Sequence, residues 1–474
     1  MTLAKKAGTA AKLMLIRRVW GAIVSFSVMA YLARTLSKED FGIVAISAVL
    51  LSFIQILAIS GISEYVIFYN KDDRSKIINA AFWLNIFLSF IVSIVILLLS
   101  PIWASFYNDE RIVYIVILLV FNFFFNMVAS IPNGIYRKEL NYKPMIFIQT
   151  LFGTFNNLGQ VLLAYYGFGI YSLVLPNAVL SPFLAAMLIY KSGFRPTKDF
   201  GRKYWTQIFN YTKYVIGQRV MGKLVNEGDT FIVGKFFGMS SLGVYNLAYQ
   251  FSNLFNGYFQ PIVNNITLPL FSKNNNNINV VRNHYTKMID LISIVTIPVM
   301  TLMLINAQFL IHFIYGEKWL DAVVIFQILA FFVMIKSITS PTNGLFNAMG
   351  QPKKSLLFLR IFVPIFLIAI LIGAQFKSLI IFTLILVVVR MVGSLILMRD
   401  ALKLININNY NEFKDIIVLI LLSVLFSTLS TLLPDYFFLK LILSFLFLLS
   451  VFLYFRILSN AKYQSILIDI KKLI

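Results

Sequence analysis

Apolar residues run in stretches of about 18 or more along the whole chain, parted by short polar segments, and each stretch is long enough to cross hydrocarbon as a helix. The runs are continuous and do not alternate with period two, which excludes a transmembrane β-barrel. They predict an all-α polytopic membrane protein of about fourteen transmembrane helices. The spans fall near residues 13–34, 42–69, 78–103, 111–132, 145–166, 169–190, 207–235, 242–270, 287–314, 322–347, 355–376, 378–398, 415–433 and 436–457. The longest loops lie around 191–206, 271–286 and 399–414, which leaves no room for a soluble catalytic domain. A basic N-terminus precedes the first apolar run, as in a signal peptide. The run leads straight into further spans without a convincing cleavage site, so it reads as a retained first helix.

Composition agrees: the 474 residues are 59% hydrophobic, with a mean hydropathy of +0.83. The net charge of +22 would suit nucleic acid, but the cations gather on one set of loops. That set holds Lys71, Arg74, Lys76, Arg137, Lys138, Lys143, Lys191, Arg195, Lys198, Arg202, Lys203, Lys353 and Lys354, together with both termini. The positive-inside rule places that side, and both termini, in the cytoplasm. The charge is then explained by topology and contact with anionic membrane lipid, and no nucleic-acid partner is expected. There is no Cys and there are only 2 His, so thiol chemistry, disulfides and a His-rich metal site are not expected. No phosphate-binding loop is present, and neither an enzyme activity nor a cofactor is expected.

An internal repeat sharpens the picture. Arg18-Val19-Trp20-Gly21-Ala22-Ile23-Val24 returns 201 positions later as Arg219-Val220-Met221-Gly222-Lys223-Leu224-Val225. At the same offset, Leu36-Ser37-Lys38-Glu39-Asp40-Phe41-Gly42-Ile43-Val44-Ala45 aligns with Phe237-Gly238-Met239-Ser240-Ser241-Leu242-Gly243-Val244-Tyr245-Asn246. Ser37 and Ser240 stand where helix N-caps are expected. A second landmark, Ile131-Pro132-Asn133-Gly134 and Pro341-Thr342-Asn343-Gly344, ends a span in each half at an offset of 210. Spans 1–6 and 7–12 therefore form two parallel lobes related by an axis along the membrane normal. The expected boundaries are 1–200 for the first lobe, 201–405 for the second and 406–474 for the last two helices and tail.

The Leu36–Ala45 segment resembles the L-S-x-x-D-F-G-x-x-A signature of Wzx-type polysaccharide flippases. Leu242-Gly243-Val244-Tyr245-Asn246-Leu247-Ala248-Tyr249 is similar to that family's L-G-x-Y-x-x-A-Y. These flippases belong to the superfamily that also holds multidrug exporters and the lipid II flippase. The resemblance implies a flippase in the bacterial cytoplasmic (inner) membrane. Its cargo would be an undecaprenyl-diphosphate-linked oligosaccharide moved from the cytoplasmic to the outer leaflet; a proton or Na⁺ gradient as the drive is the functional reading of the intramembrane acids. Other polysaccharide-assembly membrane proteins would be its partners.

Such a cargo needs cations, hydrogen-bonding groups and an apolar flank. Arg18, Arg219, Lys223, Lys336 and Arg390 are the candidate cations; Arg suits phosphate because its guanidinium donates two parallel hydrogen bonds. Snorkelling to the interface is the plain alternative for Arg18 and Arg390. Asn246, Gln250, Asn253, Gln260 and Asn264 form a polar stripe along span 8, suited to sugar hydroxyls. Interhelical hydrogen bonding is its plain alternative. Glu227, Asp229 and Asp290 are the candidate ion-coupling acids. Glu227 stands four residues after Lys223, so a local ion pair is open there, and Asp290 could be a solvated acid near the cytoplasmic surface. Two other functions fit a chain of this class. An organic-cation exporter of the multidrug branch would present acids, whereas bases outnumber acids here. A membrane enzyme of polysaccharide assembly would carry a large external loop, whereas these loops are short.

Overall fold

The computed structural model describes residues 3–59, 62, 65–66, 74–139, 141–272, 277–407, 410–434 and 436–457. Glu64 and the side chains of Arg18, Lys213, Arg219, Gln260 and Asn264 lie outside the described residues. The described residues contain helices and no strand. In chain order the helices are α1 (Leu3–Thr35), α2 (Lys38–Ile59), α3 (Arg74–Tyr107), α4 (Arg111–Lys138), α5 (Tyr142–Tyr165), α6 (Tyr171–Ser192), α7 (Trp205–Ser272) and α8 (Ile278–Ile305). They continue with α9 (Ala307–Tyr315), α10 (Ala322–Thr339), α11 (Pro341–Ala348), α12 (Pro352–Gln375), α13 (Leu379–Leu404), α14 (Lys414–Leu432) and α15 (Phe437–Ile457). Among the described residues, 9 helical segments are long and apolar enough to cross a membrane. Large apolar side chains such as Leu98, Ile361 and Phe445 are exposed, as expected of helices that face lipid.

Four local features differ from expectation. α7 covers spans 7 and 8 without a loop and is broken only at Gly238, where φ is 83° and ψ is 170°. That backbone is open to glycine and strained for other residues, so the polar turn of the first half has shrunk to one residue. Gly238 stands at the position of Ser37. Ser37 does cap its helix: its Oγ accepts from Asp40 N at 3.1 Å, and Asp40 Oδ2 accepts from Ser37 N at 2.9 Å. Ser240 lies inside α7, past the break, and is not a cap. The first Pro-Asn-Gly landmark does not end a span either, since α4 continues through Pro132 to Lys138; only its second-half counterpart, Pro341, starts a new helix. Span 9 is divided at Asn306 into α8 and α9.

The chain forms two compact units, Met1–Asn246 and Leu247–Ile474. This division follows contacts, whereas the boundary at 200/201 followed the repeat. In the first unit α4 packs on α2, α3 and α6, and α5 packs on α1 and α6. In the second, α10 packs on α8 and α13, α12 packs on α13, and α14 packs on α8 and α15. Lipid chains are as apolar as leucine, so close packing and internal hydrogen bonds hold such helices together. Asn85 of α3 donates to the Met127 carbonyl at 2.6 Å and to Ser130 Oγ at 2.8 Å on α4. In the second unit Thr301 Oγ1 donates to Ser423 Oγ at 2.7 Å, and Asn306 donates to Ser444 Oγ at 2.9 Å. These bonds fasten α14 and α15, which lie outside the repeat, onto α8. Other buried hydroxyls bond back to their own helix, as Ser47 does in donating to the Ile43 carbonyl at 2.7 Å.

Candidate functional site

The first unit holds a charged cluster on α7. Lys223 Nζ donates to Glu227 Oε1, and Ser52 Oγ of α2 donates to Glu227 Oε2, so both carboxylate oxygens are engaged. The Lys223 and Glu227 side chains are 27% and 23% exposed, so the pair is partly buried. The i,i+4 spacing that suggested a local ion pair does form one. Ser52 was not foreseen. It stands at the repeat position of Asn253, a member of the polar stripe, and that equivalence is the signal that could have found it.

Half a turn further along, Asp229 faces elsewhere. It is 1% exposed and accepts from Tyr245 Oη at 2.5 Å, while Tyr245 is itself 1% exposed. Its other oxygen accepts from Thr230 N at 2.9 Å. Glu227 and Asp229 are therefore in different surroundings, as their two-residue spacing requires. Glu227 is reachable; Asp229 is sealed in against the segment that follows the Gly238 break. Tyr245 is the tyrosine of the Leu242–Tyr249 motif, so its importance was legible while its partner was not.

The second unit holds Lys336 and Arg390, the other candidate cations whose side chains are described. Arg390 of α13 is 4% exposed, with its guanidinium 5.1 Å from the Phe366 ring centre and 5.7 Å from that of Phe332. Lys336 Nζ lies 6.0 Å from the same Phe332 ring. Rings of this kind stabilise a desolvated cation by roughly 1–2 kcal/mol. Arg390 is covered by these rings and by packing rather than extended into open space. Asp290 of α8 is 9% exposed, and the picture of a solvated surface acid is corrected: its helix position is covered by packing.

The stripe on span 8 is divided in its surroundings. Asn246 is half-buried and Gln250 is exposed. Asn253 donates to the Tyr249 carbonyl of its own helix at 3.0 Å. Asn256, which the stripe omitted, is buried, and its Oδ1 accepts from Ser337 Oγ at 3.1 Å. That bond ties α7 to α10 one residue past Lys336. On span 5, Gln149 donates to Asn133 at 3.0 Å and Gln160 donates to the Leu173 carbonyl at 3.0 Å, so these amides join helices. No group of His, Cys, Asp and Glu among the described residues could hold a metal ion.

With two charged clusters on long apolar helices in view, the relatives fall into place. A family model described as polysaccharide biosynthesis protein matches residues 31–324. The chain belongs to that family. It is 25% identical over 303 residues to the teichuronic acid biosynthesis protein TuaB of Bacillus subtilis, a match covering 63% of this chain and 62% of TuaB. It is 21% identical over 408 residues to the lipopolysaccharide biosynthesis protein WzxC of Escherichia coli, covering 83% of this chain and 82% of WzxC. The fold is similar to that of the lipid II flippase MurJ, solved in an inward closed conformation, with a TM-score of 0.69 at 14% identity over 93% of this chain and 98% of that one. A multidrug MATE transporter in an inward-facing conformation is similar too, with a TM-score of 0.62 at 14% identity over 81% of this chain and 94% of that one. The all-α polytopic fold and the resemblance to polysaccharide transporters are thus both met.

Proposed function

We propose that this chain is a flippase that carries a polyprenyl-diphosphate-linked oligosaccharide from the cytoplasmic to the outer leaflet of the bacterial inner membrane, with both termini in the cytoplasm. The observation that carries the reading is the Lys223–Glu227–Ser52 cluster, in a chain that aligns along most of its length with a lipopolysaccharide biosynthesis protein. Lys223 is a cation on a helix meant for lipid, and its charge is balanced by Glu227 when no cargo is present. A diphosphate arriving at Lys223 competes with that carboxylate for the same amine. When it wins, Glu227 keeps the Ser52 hydroxyl, loses its cation and takes up a proton or Na⁺ in exchange. Binding of an anion and of a coupling cation are then linked through one side chain.

The surrounding residues take secondary roles. Arg18 and Arg219 stand at equivalent points of the two first helices and add positive charge for the second phosphate. The amides Asn246, Gln250, Asn253, Gln260 and Asn264 serve sugar hydroxyls. Lys336 and Arg390, held at the Phe332 ring, supply positive potential from within the second unit. Asp229 and Asp290 are the other acids able to respond to the ion gradient. Anionic lipid binds the basic cytoplasmic loops, and other membrane proteins of polysaccharide assembly receive the product.

The reading is tested by reconstituting the protein in vesicles with a fluorescent undecaprenyl-diphosphate oligosaccharide and quenching the outer leaflet. Lys223→Arg should retain flipping and Lys223→Gln should lose at least tenfold. Equal rates for Lys223→Gln and the parent, at equal protein level, would overturn the assignment.

A further inference from the structure

In the repeat, Lys38 stands in register with Met239 and Gly42 with Gly243. The fold brings these four residues together. A Cβ added to Gly42 would lie 2.0 Å from the Met239 carbonyl oxygen and 3.2 Å from the Gly243 nitrogen. A Cβ added to Gly243 would lie 1.8 Å from the Lys38 carbonyl oxygen and 3.3 Å from the Gly42 nitrogen. Each glycine meets the residue four places before the other, at matching distances. That reciprocity is the mark of a twofold axis, and the axis of the repeat passes between Gly42 and Gly243. The obstacles are main-chain atoms, so no rotamer change would make room for a side chain. The two helices would have to part by about 1 Å for even one methyl group.

The crossing is the centre of a tightly closed end of the first unit. Tyr107 Oη donates to the Phe231 carbonyl at 3.1 Å, and Lys235 Nζ donates to the Phe106 carbonyl at 2.6 Å. Trp103 Nε1 donates to the Ile46 carbonyl at 3.3 Å. At its rim, Arg111 bonds both Glu39 and Asp109. All of this lies at the turns following α1, α3 and the first half of α7, on the face that lacks the Lys/Arg excess. The positive-inside rule puts that face outside.

We propose that Gly42 and Gly243 form the outer seal of the transport path. Their helices cross backbone to backbone on the repeat axis, and cargo leaves only when this crossing parts. The inference rests on the flippase reading for what passes through, but not for the seal itself. Two helix starts held this close on the axis are a place where a small rotation of each opens the outer end symmetrically. A side chain at either glycine prevents reclosure and leaves the path open to the outside.

The chain has no Cys, so one introduced thiol reports access. Ser52 lies ten residues past Gly42 on α2, about 15 Å further in. Cells carrying Ser52→Cys are treated with a membrane-impermeant maleimide. The parent glycines should keep that thiol slow to react; Gly42→Ala or Gly243→Ala should speed labelling at least tenfold. Labelling within twofold of the parent in both variants overturns the proposal. Ser423→Cys, fully buried in the second unit, is the control for misfolding and should stay unlabelled. If it reacts, the decision passes to a second arm. Lys38→Cys with Met239→Cys, bridged by a short reducible linker, should stop polysaccharide export and release it on reduction. Export that continues while the bridge is intact overturns the seal. Faster labelling in the glycine variants, together with no flipping of lipid-linked sugar by the parent chain in vesicles, would instead sink the flippase reading and leave the seal standing.

Discussion

Replacing Glu227 by Gln removes the counter-charge of Lys223 and leaves an amine roughly three-quarters buried beside Ser52. Breaking a fully buried pair by removing one partner costs about 3–5 kcal/mol. The partial exposure of both side chains allows some solvation, so about 2 kcal/mol is expected for Glu227→Gln and for Lys223→Gln. That is roughly thirtyfold in a folding equilibrium, since each 1.4 kcal/mol is tenfold. The double variant Lys223→Gln/Glu227→Gln replaces a charged pair by two neutral amides of similar size, and its melting temperature should return to within a degree or so of the parent. Export should not return, because the diphosphate has lost its cation and the coupling ion its carboxylate. Fluorescence-detected melting of the purified proteins gives the stability series. Complementation of a strain lacking its own flippase gives the transport series. The reasoning is refuted if the double variant recovers both stability and export, for the pair is then a structural clasp. It also fails if Glu227→Gln melts with the parent, because the charge would not then be desolvated.

Two further outcomes test the packing. Gly393→Ala on α13 would place a methyl 2.3 Å from the Phe362 ring, and Phe362 is stacked against Phe358 and Phe366; overpacking of this kind costs about 1–3 kcal/mol and should lower the melting temperature. Ser37→Ala removes the cap of α2 and should cost about 1 kcal/mol, seen as a smaller drop in melting temperature with export retained.

The spans were legible because a bilayer leaves a chain few choices: every backbone group must bond within its own helix, and the apolar runs mark where. The places where legibility ended are equally physical. The loop before Ser240 reads as a polar turn like that before Lys38, yet one glycine with positive φ makes the reversal and the helix resumes. Lys223 and Glu227 could be paired from their spacing alone, whereas Ser52 is 175 positions from Glu227 and reaches it only through the packing of α2 on α7. Arg390 could be placed in its span, but the rings that cover it come from α10 and α12, which no local pattern joins. Gly42 and Gly243 were visible as equivalent letters of a repeat. That equivalent letters also touch depends on where the axis runs.

The Asp229–Tyr245 pair bears on what the second half of the repeat adds to the first. Its counterparts 201 positions earlier are Val28 and Val44, so the same scaffold accepts two apolar side chains at these points. The fold does not require a carboxylate there. A buried polar pair is weak evidence of stability, and apolar replacements of similar volume are often neutral or better. Asp229→Val with Tyr245→Phe restores the apolar character of the first half while keeping the ring. This double variant should fold and melt within about 1 kcal/mol of the parent or above it. Tyr245→Phe alone should be less stable by about 1.5–3 kcal/mol, because the buried carboxylate loses a hydroxyl donor. Export then decides the role. If Asp229 responds to the coupling ion, the stable double variant exports nothing while Glu227 and Lys223 remain in place. If it exports at the parental rate, Asp229 only orients the helix start after Gly238, and ion coupling falls to Glu227 and Asp290.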